Sequence, residues 1–363
     1  MTGRERFLTA ISNQKPDRLP CQVHNWIEYY LKTYLNGMDQ YAAYEFFGMD
    51  PVIYVDPARI YTDNDNKNWQ ADFKSQPVDD HYEYIRTYTT PGGVLTEKGA
   101  YNQFTGWVTE HVIKNEDDFE LWNKYIPLPT LDFAPVLEAK ERIGDSGIVR
   151  GSLFGFGQGS PWQSFSNCLF GTEEAIMESF DRPDWVHYVL GELSKKKLSV
   201  IERCGEIPLD LIETGGGGGS STVISPEMHR EFCLPYDKKQ HKALRDHGTK
   251  VVYHLCGGVM PMLPIVAENG ADGLETMTPP SMGGDCDLGE AARLVGDKLF
   301  FVGGFDQNAG FEKGNPAAVR KMVFELFSAC PGGGFILSPS DHFFFGNPEN
   351  VRAFADAVKE CAY

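Results

Sequence analysis

An α/β fold of the (β/α)8 TIM-barrel type is what this 363-residue sequence predicts. Three observations carry the prediction. Short apolar runs recur along the chain, the intervals between them hold helix signals, and several runs end on a polar or ligand-type side chain. The runs are apolar on both faces, as expected of parallel strands covered by helices. Together they predict one barrel domain over 1–363, with residues 60–146 as a β-rich insertion between the second and third barrel strands.

The strand candidates come in order. They are LPCQVHN (19–25), PVIYVDP (51–57), GIVRGSLF (147–154), LDLIETG (209–215), KVVYHLC (250–256), GLET (273–276), LFFVGGF (299–305) and GFILSPS (334–340). Helix signals lie between them. Ser225 is an N-cap with Pro226 at the first helical position, in a pattern that stops at Gly248. GGVMPMLPIVAENG ends at Gly270, and Asn315-Pro316 and Asn347-Pro348 open two further helices. The interval 60–146 is too long for a simple crossover. Its Pro91-Gly92-Gly93 turn sits between the alternating runs EYIRTYT and GVLTEK, with GWVTEHVI as a third strand candidate. This reads as an antiparallel ribbon lying over the barrel mouth, not as a separate folding domain.

Composition excludes several roles. The formal charge is −18, against the clustered cations that nucleic-acid binding needs. No run approaches the ~20 apolar residues of a membrane span, and the basic N-terminal stretch has no signal-peptide core. A cytoplasmic protein is the expectation. The eight cysteines are scattered without a CxxC, so reduced, buried thiols are expected rather than a disulfide framework.

The chemistry concentrates at strand ends. In VVYHLCGG, His254 and Cys256 are two apart and so share a face of one strand, at the end where barrel enzymes build their sites. Both are zinc-competent, against the plainer reading of a core histidine beside a small apolar residue; a zinc site needs a third ligand at least. Cys330 precedes the last strand and lies about 20 Å away on the opposite rim, too far for a metal–sulfur bond. The exit of that strand offers Asp341, the first choice, and His342. Glu275 and Glu213 end neighbouring strands as a fourth ligand or an acid/base group, and Asp306 follows another. His24 and Asp56 end the first two runs. Gly215, Gly216 and Gly217 begin a five-glycine run where a cofactor or substrate could approach the backbone, although no Lys-Ser/Thr of a P-loop comes after it. Trp26, Tyr29, Phe154, Phe156, Trp162, Phe305 and Phe343 to Phe345 could wall an apolar pocket or simply be core.

Over nearly its whole length the chain resembles the uroporphyrinogen decarboxylase superfamily. The resemblance rests on VISPEMHREFCLPYDKKQHKALRDHGTKVVYHLCGG, KLFFVGGFDQ and GGGFILSPSDHFFFGNPENVRAF, and the middle insertion, from RTYTTPGGVLTEK through GWVTEHVIKNEDDFE, is similar to corrinoid-dependent methyltransferase members. Decarboxylase members carry an Arg-Gln-x-Gly-Arg segment near the first strand that holds substrate carboxylates; here CQVHNWIEYYLKTY has no arginine. The methyltransferase branch implies a zinc held by His-x-Cys, matched by His254 and Cys256, and a distant third ligand. In the coenzyme M methyltransferases that ligand is a cysteine after the last strand, where this chain has SPSDHF, putting Asp341 or His342 in its place. The resemblance thus implies a zinc-dependent methyltransferase moving a methyl group between a small molecule and the cobalamin of a separate corrinoid protein. A decarboxylase with Asp56 on pyrrole nitrogens, and a non-catalytic corrinoid or tetrapyrrole carrier, are the alternatives. The chain shows no cobalt-ligating Asp-x-His-x-x-Gly motif, and a homodimer is left open.

Overall fold

The computed structural model describes residues 1–154 and 159–363; Phe156, one of the expected pocket rings, lies outside them. The strands are β1 (Val52–Tyr54), β2 (Ala58–Ile60), β3 (Gln70–Val78), β4 (His81–Thr90), β5 (Gly93–Tyr101), β6 (Gly106–Glu110) and β7 (Thr130–Asp132). They continue with β8 (Ile148–Gly151), β9 (Leu211–Gly215), β10 (Lys250–His254), β11 (Gly273–Thr276), β12 (Phe300–Phe305) and β13 (Phe335–Pro339).

Seven of them form one curled parallel sheet in the order β1-β8-β9-β10-β11-β12-β13, a TIM-like arrangement with helices on its outer face. The run at 19–25 contributes a single parallel bridge, Cys21 to Leu337 of β13. The Pro20 carbonyl accepts from the Leu337 amide, and the Gln22 amide donates to the Leu337 carbonyl. The eighth strand position is thus occupied, but by a short contact rather than a ladder.

Between β1 and β8 the chain forms a separate antiparallel sheet, β3-β4-β5-β6, and the small pair β2-β7. The expected ribbon is there, with β3 as an additional edge strand. Nearly every residue of β3 is exposed and it contains Pro77, so no buried alternation marks it in the sequence. The expected helix from Ser225 to Gly248 is present in three pieces: a first turn at Pro226–Met228, a wider π-type turn at His229–Cys233, and Leu234–Asp246. Pro235 removes an amide at the junction, and the wider turn absorbs the missing bond. Asn315 and Asn347 cap their helices as expected, each accepting from amides of the first turn. No helix among the described residues is long and apolar enough to cross a membrane.

One buried polar group behind the sheet carries a pH prediction. Asp237 is 1% exposed and accepts the Tyr253 hydroxyl at 2.7 Å. Burial raises its carboxyl to about 7, against the hydrogen bonds of Tyr253 and Ser160 and the charge of Lys197. A folded-state value above the unfolded one contributes stability at low pH that is lost as pH rises through 7. Asp237→Asn keeps the shape without the charge. Urea denaturation should find it more stable than wild type at pH 8, by a few kcal/mol at most, with the gap closing near pH 4.

Candidate functional site

The C-terminal ends of the parallel strands bring a connected set of polar side chains together. Arg150 on β8 is fully buried, and its Nη2 donates to Glu213 of β9 at 2.8 Å and to Glu275 of β11 at 3.0 Å. The same nitrogen lies 2.9 Å from the second Glu275 oxygen without being directed at it. Its guanidinium stacks over the Tyr54 ring at 4.6 Å, and Nε and Nη1 make no hydrogen bond among the described residues. His254 of β10 sits between the two carboxylates: its Nδ1 meets Glu275 at 3.0 Å and lies 3.8 Å from Glu213. Adjacent parallel strands place these side chains side by side, His254 being in register with Glu275.

The charges sort themselves accordingly. Burial works to raise the Glu275 carboxyl, but Arg150 and His254 outweigh it and hold it well below the usual carboxylate range. Glu213 goes the other way, pushed up by burial and by the Glu275 charge. Burial favours neutral His254, yet the contacts with Cys256 and both glutamates win and raise it. At His24 burial outweighs the attraction of the Glu275 charge, and the imidazole is held neutral, well below its ordinary value.

Ligand atoms converge in two groups, within 4.8 Å of one another in each. His24, Glu213, His254 and Glu275 make the first; His24, Asp341 and His342 the second. His24 joins them, its ring centroid 5.2 Å from that of His254 and 4.7 Å from that of His342. Among the described residues Cys256 belongs to neither group, and Asp341 and His342 share no group with His254. The expected set of His254, Cys256 and Asp341 or His342 therefore lies around one mouth without a common 4.8 Å sphere.

Other expected residues take structural positions. Asp306 accepts from the Ser281 hydroxyl at 2.6 Å and the Ala309 amide at 2.8 Å, holding the loop after β12. Asp56 accepts from the Ser152 amide and pairs with Arg59. The glycine run serves close approach within the chain. A Cβ on Gly215 would meet the His254 carbonyl at 2.4 Å, one on Gly216 the Gln163 side chain at 2.2 Å, and one on Gly217 the Cys256 sulfur at 2.6 Å. The space beside each is taken by the protein itself.

Backbone strain marks the same end of the sheet. Thr276 and Met277, directly after Glu275, have φ of 83° and 45°. A β-branched residue at positive φ is held only where its surroundings impose it. Here the Thr276 hydroxyl donates to the Leu255 carbonyl at 3.0 Å, tying β11 to the loop that carries Cys256.

Two site residues escape sequence reasoning, Arg150 and Tyr54. Arg150 does leave a signal, as the lone charge inside the apolar run GIVRGSLF. An arginine in a strand buried on both faces needs carboxylates opposite it.

A parallel α/β sheet with imidazoles and carboxylates converging at its strand ends defines a barrel-type enzyme scaffold. The chain belongs to the uroporphyrinogen decarboxylase (URO-D) family, whose model matches residues 102–361. The uroporphyrinogen decarboxylase of Pseudomonas putida is 28% identical over 380 aligned positions, covering 98% of this chain and 96% of the relative. That of Pseudomonas fluorescens is 29% identical over 379, with the same coverage. A solved structure described as a methyltransferase from Methanosarcina mazei shares the fold, with a TM-score of 0.65 and 16% identity over 99% of both chains.

Proposed function

We propose that this protein is a zinc-dependent methyltransferase that moves a methyl group between a small methylated molecule and the cobalamin of a separate corrinoid protein. The observation that carries the reading is the charge state of the mouth. Its buried guanidinium, Arg150, is committed to Glu213 and Glu275, and Arg59 is paired with Asp56. The remaining Arg150 nitrogens are buried, and Arg59, which already gives Nη2 to Asp56 and to the Phe154 carbonyl, is a single cation against the several carboxylates of a porphyrinogen. Ligand-type side chains converge instead, and the structural relative from Methanosarcina mazei is itself described as a methyltransferase.

The donor chemistry fits zinc. His24 is 6% exposed, and neither of its ring nitrogens makes a hydrogen bond to a described residue. His254 gives Nδ1 to a buried carboxylate, the arrangement that orients a metal-bound imidazole and leaves Nε2 for the metal. His254 and Cys256 would hold the ion, with His24, which shares a converging group with His254, or one of Asp341 and His342 completing the set once the Cys256 side chain moves in toward them. Bound there, zinc would supply a Lewis acid able to hold a substrate thiolate or polarise an ether oxygen. The chain's own part is orientation. Arg150 fixes Glu275, Glu275 fixes the His254 ring, and Glu213, with its raised carboxyl, can hold a proton at Oε1 on the mouth side. Trp26 and Phe343, edge to face with centroids 6.0 Å apart, are buried core rings rather than a wall of the mouth. The 60–146 region is read as an insertion over this mouth. Phe104, at the turn between β5 and β6, touches Tyr29 and Phe345 with ring centroids 4.8 and 5.6 Å away.

The test is zinc content with methyl transfer. Elemental analysis should find about one zinc per chain, lost in His254→Ala and Cys256→Ala, while Asp341→Ala and His342→Ala separate the third ligand. Free cobalamin, tracked by its absorbance, replaces the corrinoid partner: cob(I)alamin as the methyl acceptor from methyl ethers and methylamines, and methylcobalamin as the methyl donor to thiols. The names of the curated relatives favour a second reading, decarboxylation. Zinc-supplemented protein that binds no metal and consumes uroporphyrinogen would establish that reading and sink the first.

A further inference from the structure

A second cavity, of about 880 Å³, lies against the antiparallel sheet, and none of its walls belongs to the strand-end site. Strand alternation builds one wall. Tyr84, Arg86 and Tyr88 point to the same face of β4, and their cross-strand partners add Ala71 from β3 and Glu97 from β5. Trp69 lies against Tyr88 with ring centroids 4.8 Å apart, and Trp122 and Leu169 form part of the far side. Ligand pockets fall between about 300 and 1,000 Å³. This cleft, open to solvent on one side, is of that size and has aromatic rings on its walls.

Its polar centre is Arg86. The guanidinium is held against the rings of Phe73 and Tyr84, 5.6 and 5.5 Å from their centroids. Nη1 donates to Glu97 at 3.0 Å and lies 3.5 Å from the Tyr88 hydroxyl, and the Tyr84 hydroxyl donates to the same Glu97 oxygen at 3.2 Å. Nε and Nη2 make no hydrogen bond to a described residue, and the side chain is 38% exposed. A fixed guanidinium edge of this kind matches a planar carboxylate. Glu97, 7% exposed, balances the charge and sets a limit: a doubly charged phosphate would meet an anion beside its cation.

We propose that this cavity binds a flat aromatic monocarboxylate of two or more rings, its ring system against Trp69 and the tyrosines and its carboxylate on Nε and Nη2 of Arg86. The site is independent of the methyl-transfer reading. The probes are 2-naphthoate and its neutral counterpart 2-naphthylmethanol, titrated calorimetrically into the full chain. Naphthoate should bind saturably at one per chain, with the alcohol about tenfold weaker, since one charge-assisted contact is worth about that factor. Arg86→Gln should remove the difference between the two probes, Trp69→Ala should weaken both, and His254→Ala should change neither. Arg86→Lys keeps the charge and provides the comparison if the glutamine variant loses its native circular dichroism; it should retain part of the preference for the acid. The proposal is overturned by any of three results: no saturable naphthoate binding up to about 1 mM, equal binding of acid and alcohol, or loss of binding in His254→Ala.

Discussion

Arg150→Met is expected to lower the free energy of unfolding by roughly 3–5 kcal/mol, the cost of removing one partner from a buried ion pair. Arg150 and Glu275 are both 0% exposed, so solvent screening does little to reduce that cost. The methionine fills much of the volume but leaves Glu213 and Glu275 beside each other with His254 as their nearest remaining cation. Urea denaturation of Arg150→Met, Glu275→Gln and the double variant measures the coupling directly. The double variant should be less destabilised than the sum of the two singles, because the buried Glu275 charge that Arg150→Met leaves without its guanidinium is gone. Strict additivity would mean that the two side chains do not support each other.

Gly303→Ala is expected to cost a further roughly 2–4 kcal/mol by a different route, combining overpacking with backbone strain. Gly303 on β12 has φ of 124°, and a Cβ there would stand 2.0 Å from the Thr276 carbonyl oxygen. Neither group has a flexible end that can swing aside. The displacement would fall on Thr276, one residue beyond Glu275 and itself at positive φ. Thermal denaturation should therefore show a large drop in melting temperature. Any zinc bound at the mouth should also be held less tightly, which a simple surface substitution would not produce.

The parallel sheet was legible because its strands are apolar on both faces and end in recognisable chemistry. Seven of the eight runs are strands, and the eighth, at 19–25, pairs only through the Cys21 bridge. Edge strand β3 was not legible, since its polar, exposed residues lack the alternation that burial would impose. The strand-end residues His254, Glu275, Glu213, His24 and His342 could be placed on one rim from the sequence. Their partnerships could not, because which carboxylate His254 meets depends on register between strands distant in sequence. Arg150 shows the difference most clearly. Its lone charge is visible in the sequence, but only the curl of the sheet shows that two glutamates face it. The glycines after Glu213 read equally as a ligand cradle or as room for the chain itself, and the positions their Cβ atoms would occupy favour the latter.

The bridge between Cys21 and Leu337 also constrains how this protein is made. It brackets most of the chain, so His24 cannot meet His342 until the last strand has been synthesised and docked. Closing so long a loop is entropically slow compared with forming the neighbouring helix-strand units. During synthesis the central strands β9 to β12 can assemble first, with Glu213, His254 and Glu275 in place and one side of their pocket open to water. Glu213, His254 and Glu275 can thus come together before the last strand brings Asp341 and His342 against His24.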